Sequence, residues 1–179
     1  MEVENKNSVG LKTRVFAFSG SAMFLLIAPG TVAGYIPWRI GGWRVHASSF
    51  GFVILRIVGM VLVAGGLALL LESFLRFASQ GIGTPAPVFP TRHLVVTGSY
   101  RYVRNPMYVA VVSLILGQGL IFGDIGILVY GICVWLTMHI FVLIYEEPTL
   151  RKAFAVDYAE FSAHVPRWIP RLTPWSEQL

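Results

Sequence analysis

The stretch that decides the fold is Asn105-Pro106-Met107-Tyr108-Val109-Ala110-Val111-Val112-Ser113-Leu114-Ile115-Leu116-Gly117-Gln118-Gly119-Leu120-Ile121-Phe122-Gly123-Asp124-Ile125. Asn is favoured just before a helix, and Pro suits the first turn, where a missing N–H costs nothing. The apolar run from Pro106 to about Phe122 is separated by Gly123-Asp124 alone from a second run, about Ile125 to Tyr145. The spacing predicts two apolar helices joined as a tight antiparallel hairpin. The second run stops at Glu146-Glu147. The hairpin therefore brings Arg101, Arg104, Asn105 and a pair of carboxylates to one end.

Two more apolar segments lie upstream, at about 15–36 and 50–77. Each of the four is near the ~20 residues that cross the hydrocarbon core. The third, at 106–122, is short, so it ends below the far surface or bends. Pro29-Gly30 falls inside the first and predicts a kink or break there. That first segment is too long for a signal-peptide core and no small-x-small cleavage site follows it, so it reads as a retained span. Composition agrees: 55% of the 179 residues are hydrophobic and 13% charged, against about a quarter charged in soluble domains. The fold class expected is all-α, a polytopic membrane bundle of about four spans, forming one domain over 1–179.

Net charge is +5, spread over the loops without an aromatic-interleaved basic patch, so a bilayer rather than nucleic acid is the expected partner. The lone Cys133 excludes disulfides and a cysteine-based metal site, and no cluster has metal-ligand spacing. Lys6, Lys12 and Arg14 precede the first span. Arg76, Arg92, Arg101 and Arg104 lie between the second and third, and Arg151, Lys152, Arg167 and Arg171 follow the fourth. Only Arg39 and Arg44 remain for the other side. The positive-inside rule then places both termini, the 78–105 loop and the carboxylate pair in the cytoplasm. The Gly- and Pro-rich residues 80–90 form an irregular connection. Pro148 should bend the chain as it leaves the membrane. Beyond it Leu150, Phe154, Tyr158 and Phe161 recur at helical spacing, an amphipathic helix at the interface or over the site.

The Asn105-Pro106 helix start directs free N–H groups and positive partial charge at the cytoplasmic loop, which suits a carboxylate or phosphate. A capped span with snorkelling arginines is the plainer account. Glu146 and Glu147 oppose the dipole at a helix C-terminus, so a bound cation is one reading. Solvated carboxylates paired with Arg151 are the other. Together the two rims suit a zwitterion. Arg56 can snorkel, Glu72 and Arg76 can pair one turn apart, and Gln118 and His139 fit a role as satisfied polar residues inside the bundle.

Several pieces, in order, resemble the isoprenylcysteine carboxyl methyltransferase family, a branch of membrane methyltransferases related to the phospholipid N-methyltransferases. They are Leu94-Val95-Val96-Thr97-Gly98-Ser99-Tyr100, Arg104-Asn105-Pro106-Met107-Tyr108, Glu146-Glu147 with Leu150, Asp157-Tyr158 and Val165-Pro166-Arg167-Trp168-Ile169-Pro170. The resemblance covers about the second half of the chain. It implies S-adenosylmethionine as cofactor, bound by the region 84–171 at the cytoplasmic face. It also implies that Arg92, His93, Leu94 and Val95 line the cofactor, that Tyr100, Arg104, Asn105, Pro106, Met107 and Tyr108 close round it, and that Glu146 holds its amino group. The acceptor is expected to be lipophilic and to enter from the bilayer. An amine acceptor must lose a proton, for which Glu147 is the candidate. Two departures stand out. Asn105 occupies a position where the family usually has His, which keeps a hydrogen-bonding side chain and removes a titrating one. Phe141-Val142-Leu143-Ile144 also lacks the Arg that meets a prenylcysteine carboxylate.

Two other functions remain open from sequence. One is a membrane sterol or lipid reductase using NADPH, which calls for more basic residues near Arg92 to Arg104. The other is a non-catalytic lipid-binding or scaffold protein, which would bind no cofactor.

Overall fold

The computed structural model describes residues 27–45, 50–80, 94 and 96–176, and among these all regular structure is helical. Helix α1 covers the helical residues 27–41, α2 is Phe50–Gln80, α3 is Pro106–Phe122 and α4 is Ile125–Phe141. Two short helices follow, α5 at Glu147–Ala153 and α6 at Ala155–His164. Residues 52–76 and 125–153 are long and apolar enough to cross a membrane, and only 17% of the apolar 18-residue stretch in each is buried within the protein. An apolar helix with its outside uncovered is a lipid-facing helix, not the core of a soluble domain. Helix α3 is apolar but shorter.

The hairpin predicted around Gly123-Asp124 is present. Asp124 caps α4, its Oδ1 accepting from the backbone N–H of Gly126 at 2.8 Å and of Ile127 at 3.2 Å. Helices α2 and α3 form the most extensive contact, and its closeness depends on glycine. A Cβ on Gly59 would stand 2.7 Å from the carbonyl oxygen of Gly117, and one on Gly117 would stand 2.7 Å from that of Gly59. In lipid no hydrophobic gain drives helices together, so backbone approach over small residues does. Between α1, α2, α3 and α4 the buried core is Ala33, Leu70, Ala110, Val111, Ile115 and Ile127.

Polar side chains within the bundle are occupied with helix irregularities. In α1 a π-helical turn, Thr31–Tyr35, follows Pro29-Gly30. Gln118 donates to the carbonyl of Ala33 at 2.6 Å and Tyr130 to that of Val32 at 3.0 Å. The predicted kink is therefore a π turn through which the helix continues to Gly41, with Gly30 itself in ordinary helical conformation. The expected first span begins at 15, and its residues up to 26 lie outside the described residues.

The exit from the fourth helix also differs from expectation. Pro148 does not end the helix. Helical conformation continues from α4 through a π-helical turn, Val142–Glu146, into α5, with Pro148 in the first turn of α5. A proline removes one helical hydrogen bond. Here the π turn changes the register just before it, and the Thr149 hydroxyl donates to the Tyr145 carbonyl at 2.6 Å. The single amphipathic helix is likewise two, broken at Phe154 (φ −132°, ψ 44°). Its apolar stripe is covered by the protein itself. Tyr158 and Phe161 are buried with Val165 and Trp175, and Leu94, Val96, Leu150 and Phe154 pack round them.

Candidate functional site

Residues 166–175 run antiparallel to residues 101–105 as a strap. The amide of Arg104 donates to Pro166 O at 2.9 Å, that of Arg171 to Tyr102 O at 2.9 Å, and that of Trp175 to Arg101 O at 3.0 Å. The strap brings Arg167 to the end of the hairpin, where Glu147 lies buried between two guanidinium groups. Arg167 grips it in a two-pronged pair, Nε to Oε1 at 2.6 Å and Nη2 to Oε2 at 3.0 Å. Arg104 Nη1 adds a bond to Oε1 at 3.2 Å and reaches Tyr158 Oη at 3.3 Å. The hydrogen bond to Glu147 holds Arg167 above its usual value, and burial pushes the Tyr158 phenol up. Both groups keep their protons. Arg151, the partner expected for the carboxylate pair, makes neither of these bonds.

Asn105 occupies the cap position of α3 but does not cap it. Its side chain makes no bond to the first turn. Instead Nδ2 donates to the carbonyl of Arg167 at 3.1 Å. The strap competes for this side chain because Arg104 is already tied to Pro166 next door. Pro106 has no N–H, and the Val109 amide takes the carbonyl of Asn105 at 3.1 Å. The amides of Met107 and Tyr108 are then the open donors at the start of α3.

Glu146 belongs to a second group. It lies on the π turn, and Tyr108 Oη donates to its Oε2 at 3.0 Å. Tyr100, from the 3₁₀ turn Gly98–Arg101, is within the electrostatic influence of both Glu146 and Glu72 of α2. Burial, then the negative charge of both carboxylates, pushes its phenol up, so it remains a neutral donor. Along the same wall His139 stacks on Trp135 at 5.4 Å and accepts the Trp168 indole N–H at Nδ1, 2.9 Å away. An indole N–H only donates, so this fixes the His139 tautomer with its proton on Nε2. Trp168 also packs against Tyr108 at 6.5 Å.

Of the residues expected at a cofactor, Tyr100, Tyr108 and Glu146 are thus brought together, with Pro106 and Met107 in the adjoining first turn of α3. Arg104, Asn105 and Glu147 form the neighbouring clasp. Leu94 packs on the cluster round Tyr158, and Arg92, His93 and Val95 lie outside the described residues. Sequence reasoning gave Arg167 and Trp168 no individual role at the site beyond the charge asymmetry and the family motif, left Trp135 unmentioned and treated His139 as a bundle residue. Trp135 and His139 stand four apart, one helical turn, and that spacing was the available signal. Arg167 and Trp168 stood in the Val165–Pro170 piece of the resemblance, but no local spacing pointed to Glu147, twenty residues before Arg167, as its partner.

Among the described residues no group of three or more His, Cys, Asp or Glu could hold a metal ion. The side-chain set instead offers open amides and a carboxylate on opposite rims. The Nε of Arg104 is buried there without a hydrogen-bond partner. These residues fit an amino-acid head, whose carboxylate and ammonium need one rim each. No individual curated protein matches the chain. The sequence pattern of the phospholipid methyltransferase family matches residues 54–157, more than half of the chain and inclusive of α3, α4 and both carboxylates.

Proposed function

Because the chain belongs to the phospholipid methyltransferase family, and so to membrane methyltransferases of lipid-type substrates, we propose that it methylates a lipid head from S-adenosylmethionine. The reading includes four spans with both termini and the site in the cytoplasm, following the basic-residue asymmetry. One observation carries it: Glu146, steadied by Tyr108, faces the uncapped start of α3 across the rim of the hairpin.

When bound, S-adenosylmethionine supplies a methyl carbon made electrophilic by the positive sulfur beside it. The chain's own residues hold and orient. The Met107 and Tyr108 amides and the unpartnered Arg104 Nε take the donor's carboxylate, and Glu146 takes its ammonium. Tyr100 closes the site as a neutral donor. The strap, with Trp168 packed over Tyr108 and His139, keeps water out, and exclusion of water with alignment is what methyl transfer asks of a protein. Glu147, with both oxygens accepting from arginines, we assign to holding the rim together rather than to accepting a proton. Arg167 is occupied by that same carboxylate and Arg104 is shared between it and the donor, so neither is left for an acceptor carboxylate. This favours a phospholipid amine head over a prenylcysteine carboxylate as acceptor, the head reacting as its neutral amine after giving its ammonium proton to water before it enters the site.

Calorimetry of the purified protein with S-adenosylmethionine tests the donor, and transfer of a labelled methyl group to ethanolamine phospholipid tests the acceptor. Saturable binding with transfer is expected. A folded protein that binds no donor overturns the reading. For topology, Asn5→Cys and Gln178→Cys in a Cys133→Ser background should both be protected from an external thiol reagent. Labelling of either from outside would remove the site from the cytoplasm.

A further inference from the structure

The strap meets the hairpin through a polar pair that packing alone does not call for. Trp168 Nε1 donates to His139 Nδ1 at 2.9 Å, and His139 lies within the stretch 125–153 that is long and apolar enough to cross a membrane. Two segments at that level could pack through apolar groups of the same shape, with no N–H and no ring nitrogen to satisfy. What the polar pair adds is direction. A hydrogen bond fixes the rotation of the indole about its own axis, which apolar contact leaves loose.

The indole is held on several sides. His139 is stacked on Trp135 at 5.4 Å, and Trp168 meets Trp135 edge-on at 6.3 Å. The backbone beside Trp168 is tied to the 101–105 segment: the Arg167 carbonyl accepts from Asn105 Nδ2 at 3.1 Å, and the Arg171 amide donates to Tyr102 O at 2.9 Å. The indole in turn packs on Tyr108, with ring centroids 6.5 Å apart and planes tilted by 45°. That distance is within the range of a real aromatic contact. Tyr108 Oη donates to Glu146 Oε2 at 3.0 Å. A tyrosine ring that swings to another rotamer takes its hydroxyl with it. The fixed indole blocks that swing on one side.

Resting on the reading of the chain as a methyltransferase that uses S-adenosylmethionine, we propose that His139 is a positioning residue for the amino-acid head of the donor. It acts through Trp168 on Tyr108, and through Tyr108 on Glu146, without touching the donor. The role needs an acceptor at the place of Nδ1, since the indole N–H only donates. Among other side chains Asn comes nearest to supplying one, its Oδ1 standing the same number of bonds from the backbone as Nδ1 of His. Leu fills similar space and offers no acceptor.

The test is calorimetry of S-adenosylmethionine binding to the full chain in nanodiscs, with thermal unfolding measured in parallel. His139→Leu should weaken binding about fivefold, near the value of one lost hydrogen bond. His139→Asn should stay within about twofold of the wild type. Trp168→Phe, which keeps a ring and loses the N–H, should match His139→Leu, and it takes that variant's place should His139→Leu not fold. Tyr108→Phe separates positioning from general loosening. In that background the hydroxyl that the pair positions is gone, so His139→Leu or Trp168→Phe should cause no further loss. Losses that multiply instead overturn the proposal, because the pair would then act by some route other than Tyr108. Unchanged affinity in both His139→Leu and Trp168→Phe overturns it as well. So does an Asn variant as weak as the Leu variant, which would leave the stack on Trp135 as the whole effect. If the wild-type protein binds no donor, the proposed function fails and this role fails with it. If the wild type binds and the variants bind equally well, only the positioning role fails.

Discussion

Glu146 and Glu147 are neighbours in sequence and opposites in use. Glu147 is buried, with both oxygens accepting from arginines of two other segments. Glu146 accepts from one tyrosine at 3.0 Å and faces the start of α3. The first joins hairpin to strap. In the proposed function the second is the one that meets the ligand. Two adjacent carboxylates on a helix point about 100° apart, so a pair at a rim can serve cohesion and binding at once. Whichever carboxylate meets the arginines becomes the structural one.

The largest effect should come from breaking the structural member. Glu147→Ala leaves Arg104 and Arg167 uncompensated, and removal of one partner from a buried pair costs about 3–5 kcal/mol. Denaturant unfolding in mild detergent should show this loss. A change below about 1 kcal/mol would mean that Glu147 is not the keystone of the rim. Glu146→Gln sharpens the contrast, because the amide still accepts from Tyr108 but carries no charge. It should weaken S-adenosylmethionine binding by about 1.5–3 kcal/mol with near-native unfolding. An unaltered dissociation constant would take Glu146 out of the site.

Asn105→Asp tests the clasp from its other edge, with an effect of about 1–3 kcal/mol on stability. Asp is a good helix cap, but its carboxylate cannot donate to the Arg167 carbonyl. If the variant unfolds like the wild type, capping rather than the strap bond is the role of this side chain. The smallest change is Thr149→Val, which deprives the Tyr145 carbonyl of its hydroxyl partner beside Pro148. About 0.5–1.5 kcal/mol is expected, and no change would mean that the π turn needs no such support.

What could be read in the sequence followed from local rules. The bounds of α2 and α3 came from apolar length and from the Asn105-Pro106 and Gly123-Asp124 signals, all of which act within one or two turns. The same rules did not announce that helical conformation continues past Pro148, because a π turn that absorbs a missing hydrogen bond leaves no mark in composition. They misjudged the employment of Asn105 for a different reason. A cap rule compares a side chain with its own first turn and cannot register a competing carbonyl sixty-two residues further along. The Arg104–Glu147–Arg167 cluster joins three distant segments, and no spacing announces that.

The π-helical turn at Val142–Glu146 also sets an angle. It holds one residue more than an ordinary turn would, so it governs how α5 is rotated relative to α4. Successive α-helical residues are offset by about 100° with a rise of about 1.5 Å. Were these five residues to wind as regular α-helix, everything from Glu147 onward would swing by about that amount around the helix axis. Both carboxylates would leave their partners, although no side chain had changed. Length at this point is therefore as constrained as chemistry. Lineages should exchange side chains here more readily than they gain or lose a codon.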